Sequence, residues 1–303
     1  MANLKGKSVD TTRLSVEAAV DHGWIHRDYL AHCLRYSHVV KYLHGGNRYK
    51  TANVLDIGCG GETPLAKTMF HNRLTHTSGS YTGIDYGRIS NALNIGSSQK
   101  FNMSLHEKTD YVKFKVKKKP DVIVCFEVLE HVEPMHAYEM LVKMGEDLAE
   151  NGIILISTPV YSVEAGPAAN HVNEMSYAGL EFLITAAKLE IAETFGTFAS
   201  IKDYKKDMSV AQQEVFDQLR EYYDTNVLSC FMAPMFPEKS RNCLWILKKP
   251  DAAAMVDIHN SLDTLTPDIA NQKHSSSDRW SKDVQSIIKK VNGKLPRSGR
   301  VSK

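Results

Sequence analysis

Asn53-Val54-Leu55-Asp56-Ile57-Gly58-Cys59-Gly60-Gly61 is the stretch whose reading decides the fold. A short apolar run that ends in glycines reads as a buried strand. The run goes straight into the glycines, and glycine has no Cβ, so backbone there can approach a ligand closely. Pro64 to Phe70 follows as the start of a helix, whose first N–H groups have no partner within the helix.

The pattern extends in both directions. Upstream, Tyr29, Leu30, Cys33, Leu34, Val39, Val40 and Leu43 recur at helical spacing and predict a helix within Val16–Leu43, stopped by Gly45-Gly46-Asn47. Downstream, Ser78-Gly79-Ser80 turns into a strand at Tyr81–Ile84 that ends on Asp85. Further strands are expected at Phe101–His106, Asp121–Phe126, Ile153–Ser157, Ile191–Phe198 and Asn242–Leu247. A helix over Ser176–Leu189 starts at a residue suited to N-capping. Strands alternating with helices argue for an α/β fold: a doubly wound, mainly parallel sheet of seven strands, with the first helix as an N-terminal cover. The domain is expected over 16–250, after a flexible N-terminus at 1–15. The remainder, 251–303, reads as linker and basic, disordered tail, from Ser275-Ser276-Ser277 and from Lys289, Lys290, Lys294, Arg297, Arg300 and Lys303.

Bulk properties narrow the class. Of 303 residues, 43% are hydrophobic and 24% charged, enough for a globular core, and the net charge of +2 suggests neither nucleic acid nor membrane as a partner by itself. Five scattered cysteines form no C-x-x-C pair, which argues against a disulfide framework or zinc site and favours a reducing cytoplasmic setting. The N-terminal residues carry no signal-peptide core. No apolar run approaches the roughly 18 residues of a spanning helix.

Two ligands compete for the glycine loop. A dinucleotide site wants G-x-G-x-x-G, and the last position here is Thr63. Asp56 would repel a pyrophosphate but suits the cationic amino-acid end of S-adenosylmethionine. Val54-Leu55-Asp56-Ile57-Gly58-Cys59-Gly60-Gly61 closely resembles motif I of class I S-adenosylmethionine-dependent methyltransferases, although a third glycine common in that family is Glu62 here. The resemblance implies a Rossmann-like fold, with S-adenosylmethionine held by Asp56, Gly58, Cys59, Gly60 and Gly61. It also implies Asp85 on the ribose hydroxyls, Glu107 or Asp110 near adenine, and Phe126 and Glu127 beside the pocket. The plainer readings are a ligand-free turn for the glycines and a turn-forming role for Asp85.

The second specific signal is Asp121-Val122-Ile123-Val124-Cys125-Phe126-Glu127-Val128-Leu129-Glu130-His131-Val132. The strand delivers Glu127 to the carboxyl edge of the sheet, where open α/β folds bind ligands. If a helix begins at once, Glu127, Glu130 and His131 share one face. Two carboxylates and an imidazole there suit Mg²⁺ or Mn²⁺, with His171 or Glu174 completing the shell. The plainer reading is a solvated helix start and an ordinary loop histidine.

The segment is similar to that of ubiquinone-biosynthesis-type O-methyltransferases, over roughly residues 50–200, where the histidine is suspected as a general base. It also resembles small-RNA 3′-terminal 2′-O-methyltransferases, which carry Glu-x-x-Glu-His, then Ser-Thr-Pro, then a later histidine. Here those are Glu127–His131, Ser157-Thr158-Pro159 and His171. In that family the cluster binds a metal that grips a terminal ribose. Catalytic roles are accordingly expected for His131 and Glu130, and metal ligation for Glu127, Glu130, His131 and His171.

The expected activity is methyl transfer to an oxygen of a small molecule. The rival is a nucleic-acid or nucleotide methyltransferase acting at a ribose 2′-oxygen, with the basic tail as nucleic-acid contact. A catalytically silent fold of regulatory use is the third reading, against which the intact glycine motif and the Glu127–His131 cluster argue. No Asn/Asp-Pro-Pro-Tyr/Phe tetrapeptide and no Pro-Cys dipeptide occurs, so DNA base methylation of those two types is not expected. The aromatic-rich stretch Met208–Glu238 reads equally as a pocket lid or a packing flap.

Overall fold

A computed structural model describes residues 27–74, 79–90, 92, 102–161, 166–199, 201–264 and 277–292. Seven strands form one sheet: β1 (Asn53–Ile57), β2 (Ser80–Ile84), β3 (Asn102–His106), β4 (Val122–Phe126), β5 (Ile153–Pro159), β6 (Glu190–Phe198) and β7 (Asn242–Lys248). Their order is β3-β2-β1-β4-β5-β7-β6. β1 to β5 pair in parallel, and β7 runs antiparallel to both β5 and β6. The expected doubly wound, mainly parallel sheet is what forms.

Alternation along each strand splits the core into two layers. Val122, Val124 and Phe126 face α1 (Arg27–His44) and α2 (Pro64–His71), packing with Tyr36, Val39, Leu43, Leu65 and Met69. Ile123 and Cys125 face the other way, toward α3 (Pro134–Asp147) and α4 (Tyr177–Ala186). Both faces of β4 are buried throughout, which is why its sequence is an unbroken apolar run. The expected N-terminal cover is α1, described from Arg27 onward; residues 1–15 lie outside the described residues. Ser176 caps α4 as expected, its side chain accepting from the Gly179 N–H at 3.1 Å.

Between β6 and β7 lie α5 (Ile201–Tyr204), α6 (Val210–Leu219) and α7 (Thr225–Met232). They enclose a small core of their own, with Tyr204, Met208, Phe216, Leu228 and Phe236 buried together. Part of the Met208–Glu238 stretch is therefore packing, while Tyr222, Tyr223 and Phe231 stay exposed.

One expectation needs correcting. The stretch 251–303, expected to be linker and disordered tail, contains α8 (Ala252–Thr264) and α9 (Ser277–Asn292). Trp280, Val284 and Ile287 of α9 are fully buried in the same core as α3 and α4. Of the basic residues that suggest a charged tail, Lys289 and Lys290 lie on the exposed side of α9. The residues beyond 292 are outside the described ones.

Candidate active site

The strand registers align the ends of β1, β2, β4 and β5 at one edge of the sheet: Ile57 pairs with Ile84 and with Cys125, and Phe126 with Ser157. The segments leaving those strands therefore meet, which is where ligands bind in open α/β sheets.

The glycine loop leaves β1 with Gly58 at φ +74° and Gly60 at φ +70°, a region that L side chains seldom adopt. A Cβ on Gly58 would lie 2.2 Å from Val128 Cγ2, so the loop touches the segment after β4. Gly58 and Cys59 donate their N–H groups to the Ile84 carbonyl at 2.8 and 3.1 Å. Cys59 itself is buried, and burial pushes its thiol far up. Glu62, at the place of the missing third glycine, pairs with Lys67 at 3.5 Å.

Asp85 meets this loop directly. Its Oδ2 accepts from the Gly60 N–H at 2.8 Å and its Oδ1 from the Gly87 N–H at 2.6 Å. The glycine motif and the acid after β2 thus form one cradle. Glu107 lies beside it, its Oε2 accepting from the Ile89 N–H at 3.2 Å. Asp110 is engaged elsewhere: it caps a short turn through the Val112 N–H and pairs with Lys113 at 3.1 Å and His136 at 3.5 Å. Of the two adenine-side candidates, Glu107 is the one that borders the cradle.

Asp56 is buried under the loop, its Oδ2 accepting from the Tyr81 hydroxyl at 2.5 Å. Burial raises its pKa to about 7, against the Tyr81 hydrogen bond and with a further push from the Asp85 charge. The Phe126 ring packs against Tyr36 of α1, with 5.8 Å between centroids.

The Glu-x-x-Glu-His segment departs from the expected geometry. No helix begins at Glu127, which has φ +55°; Leu129–His131 is a single 3₁₀ turn and α3 starts at Pro134. Adjacent strand residues point to opposite faces, and β5 uses this to separate the two acids. Ser157 donates to Glu127 Oε1 at 2.8 Å, and Thr158 to Glu130 Oε2 at 3.3 Å.

Glu127 is consequently not on one face with Glu130 and His131, and the four-ligand metal set is corrected by its loss. Its carboxylate belongs to a buried network. Arg35 Nη1 donates to Oε1 at 2.5 Å, and Asn242 Nδ2 donates to Oε1 and Oε2 at 3.1 and 2.9 Å. Burial alone would raise the Glu127 pKa, but Arg35, Asn242 and Ser157 outweigh it and hold the group below the usual glutamate range. On the far side of Arg35, His32 Nδ1 lies 2.9 Å from Nη2. Burial, then the Arg35 charge, lowers the His32 pKa to about 3, so that ring is neutral.

Glu130, His131 and His171 do come together, with one ligand atom from each inside a mutual 4.8 Å. Glu130 is fully buried, and its Oε1 has no hydrogen-bond partner. Burial, reinforced by the Glu127 charge, raises its pKa well above the usual range. His131 Nε2 faces that oxygen at 3.9 Å, while His131 Nδ1 is 3.1 Å from the Asn170 carbonyl. His171 Nδ1 is 2.5 Å from Glu174 Oε1, which leaves its Nε2 as the ligand nitrogen. Glu174 therefore orients His171 from behind. The Val172 and Asn173 N–H groups bond the Glu130 carbonyl at 2.9 and 3.0 Å and tie the two segments together.

Arg35 and Asn242 were missed in the sequence. Arg35 gave one usable signal: it lies on the face of α1 that carries Tyr36, Val39 and Leu43, where a charge needs a buried partner. Asn242 gave none, because its reach to Glu127 depends on β7 running antiparallel.

A family model described as "Methyltransferase domain" matches residues 27–214. A ubiquinone biosynthesis O-methyltransferase of Rickettsia canadensis is 27% identical over 166 residues, covering 50% of this chain and 64% of that protein. One from Rickettsia bellii is 24% identical over 163 residues, covering 50% and 63%. The chain thus spans less than two thirds of the length of these curated relatives. Among solved structures, magnesium protoporphyrin IX methyltransferase from Synechocystis, with bound S-adenosylhomocysteine, is 12% identical at a TM-score of 0.45, covering 73% of this chain and 85% of that one. A methyltransferase from Clostridium acetobutylicum is 11% identical at a TM-score of 0.48, covering 78% and 97%.

Proposed function

The chain belongs to the methyltransferase-domain family, and on that premise we propose that it transfers the methyl group of S-adenosylmethionine to an oxygen of a small-molecule acceptor. The observation that carries this reading is the cradle in which Gly60 N–H and the Asp85 carboxylate meet at 2.8 Å. A ribose diol exchanges its own hydroxyl donors for the backbone donors now on Asp85, Glu107 borders the adenine, and Asp56 and Glu127 supply negative charge for the ammonium end. The names of the curated relatives support an oxygen acceptor.

The transfer is an in-line displacement, in which the enzyme mainly aligns the reactants. A lone pair of the acceptor oxygen forms the new bond to the methyl carbon as the carbon–sulfur bond breaks. That electron pair returns to sulfur, the sulfonium charge disappears, and S-adenosylhomocysteine leaves. The acceptor proton goes to a base. In the absence of an ion His131 suits the role: the Asn170 carbonyl holds its Nδ1 side at 3.1 Å, so Nε2 carries the free lone pair. With an ion on Nε2 that lone pair is used, and the acceptor proton would go to solvent from a hydroxyl the ion acidifies.

A divalent ion, Mg²⁺ or Mn²⁺, fits the same turn, since the unpartnered Glu130 Oε1 is buried beside two imidazoles. Glu130, His131 and His171 would hold it, with Glu127 kept away by Arg35. A bound ion would supply Lewis acidity that lowers the pKa of an acceptor hydroxyl. An ion held there would suit acceptors that offer two neighbouring oxygens, such as catechols or a terminal ribose diol.

The test is formation of S-adenosylhomocysteine from S-adenosylmethionine and a simple catechol, with Mg²⁺ or with chelator. We expect turnover that falls by about 10²-fold or more in His131→Ala, the usual size of a lost acid–base group. Turnover unchanged in that variant would remove His131 from the chemistry.

A further inference from the structure

α9 is bound to the chain at the place where the catalytic turn ends. The residue that should cap α3, Glu133, makes no side-chain capping bond, and Pro134 has no N–H to satisfy. The next donor, Met135 N–H, bonds Asp283 Oδ2 of α9 at 3.1 Å. Glu133 in turn accepts from Arg279 Nη1 at 3.0 Å, and Glu139, further along α3, from Lys290 Nζ at 3.3 Å. Trp280 and Val284, on either side of Asp283, are both fully buried. Asp283 is therefore fixed to the core and not carried on a free surface. An anion at this end of α3 also complements the helix dipole.

His131 lies two residues before Glu133. Its side chain is 39% exposed; within the turn one backbone bond closes it, from His131 N–H to the Val128 carbonyl at 3.0 Å, and the 170–173 loop ties it on one side through Asn170, Val172 and Asn173. On its other side the turn runs through Val132 and Glu133 into α3, whose first donor is held by α9.

We propose that Asp283 is a positioning residue: by capping α3 from α9 it fixes the Leu129–His131 turn and the orientation of His131. The inference rests on the reading of that turn as the reactive centre, and it gives the C-terminal helix a part in the site.

The test compares wild type, Asp283→Ala, Asp283→Asn and Arg279→Ala by backbone deuterium exchange and by ring signals of ¹³C-labelled histidine, with His131 assigned through His131→Gln. In Asp283→Ala we expect exchange at 131–137 to accelerate about five- to tenfold, the scale of a lost cap. The His131 ring signal should move in the same variant. Asp283→Asn keeps an acceptor oxygen and should stay near wild type. Arg279 is 63% exposed, so its variant folds regardless and should loosen the segment less. Exchange and ring signals unchanged in Asp283→Ala, or changes confined to 277–292, would overturn the proposal. S-adenosylhomocysteine affinity separates the two ideas. Its absence in wild type defeats the functional reading, while exchange and histidine signals still decide whether Asp283 holds the turn.

Discussion

Asp56 brings together the conflicting demands of this site in one carboxyl group. It must be buried to lie under the glycine loop, and burial holds its pKa near 7, against the ordinary 3.8. The folded chain therefore holds a proton that the unfolded chain has released. The stability this group gives is fully present below about 3.8, falls as pH rises through the window, and is gone above about 7. Ligand binding has the opposite sign. The ammonium of S-adenosylhomocysteine favours the ionised acid, so binding expels the proton and affinity rises with pH up to about 7, by at most ~10-fold per unit. Calorimetry across that window should show the rise in wild type and a flat profile in Asp56→Asn. An equal slope in both would assign the pH dependence elsewhere. The Asp56 carboxylate and the glycines were legible in the sequence because each is demanded by local chemistry; its partner Tyr81 was not, because only the β1–β2 register places it there.

At the scale of elements, α1 does more than cover the sheet. It carries Arg35 into the core, where the guanidinium bonds Glu127, Ser157 Oγ at 3.2 Å and Asn242 Oδ1 at 3.3 Å. Three separate elements, α1, β5 and β7, thereby hold one residue, Glu127, in a left-handed backbone conformation that costs on the order of 1 kcal/mol or more. Replacing one member of a buried ion pair costs about 3–5 kcal/mol, because the other is left uncompensated. Glu127 keeps 27% exposure, so Arg35→Met should fall at the low end of that range in urea denaturation, and Arg35→Met with Glu127→Gln should recover most of the loss. Full loss in the double variant would mean that the pair is not what Arg35 contributes.

The same elements show where sequence reasoning stopped. β4 and its acids were found from an apolar run and a motif. The shared face of Glu127, Glu130 and His131 holds only if a helix begins at Glu127, and none does. The φ of +55° at that residue turns the chain so that Glu127 and Glu130 separate, and no spacing rule signals such a turn. The alternation of Ser157 and Thr158 carried the relevant information, and it becomes readable only once β5 is known to lie beside β4.

For the whole molecule, the C-terminal helices are part of the core. α9 contributes Trp280, the largest fully buried side chain among the described residues. Its sequence suggests a tail because Ser275-Ser276-Ser277 reads as linker and the residues after Asp283 carry bases and no acid, while the apolar residues Trp280, Val284, Ile287 and Val291 recur at helical spacing. Trp280→Ala should cost about 3–5 kcal/mol in denaturant unfolding, the usual range for such a cavity. A cost near zero would return the segment to the status of a tail.

The central claim is that the glycine loop and Asp85 form a cradle for the adenosyl group. Calorimetric titration with S-adenosylhomocysteine, on wild type and Asp85→Ala, tests it most directly. The account predicts saturable one-to-one binding to wild type, weakened at least ~10-fold in the variant, the scale of a lost charge-assisted hydrogen bond. Equal affinity in the two proteins, or none in wild type, would contradict it.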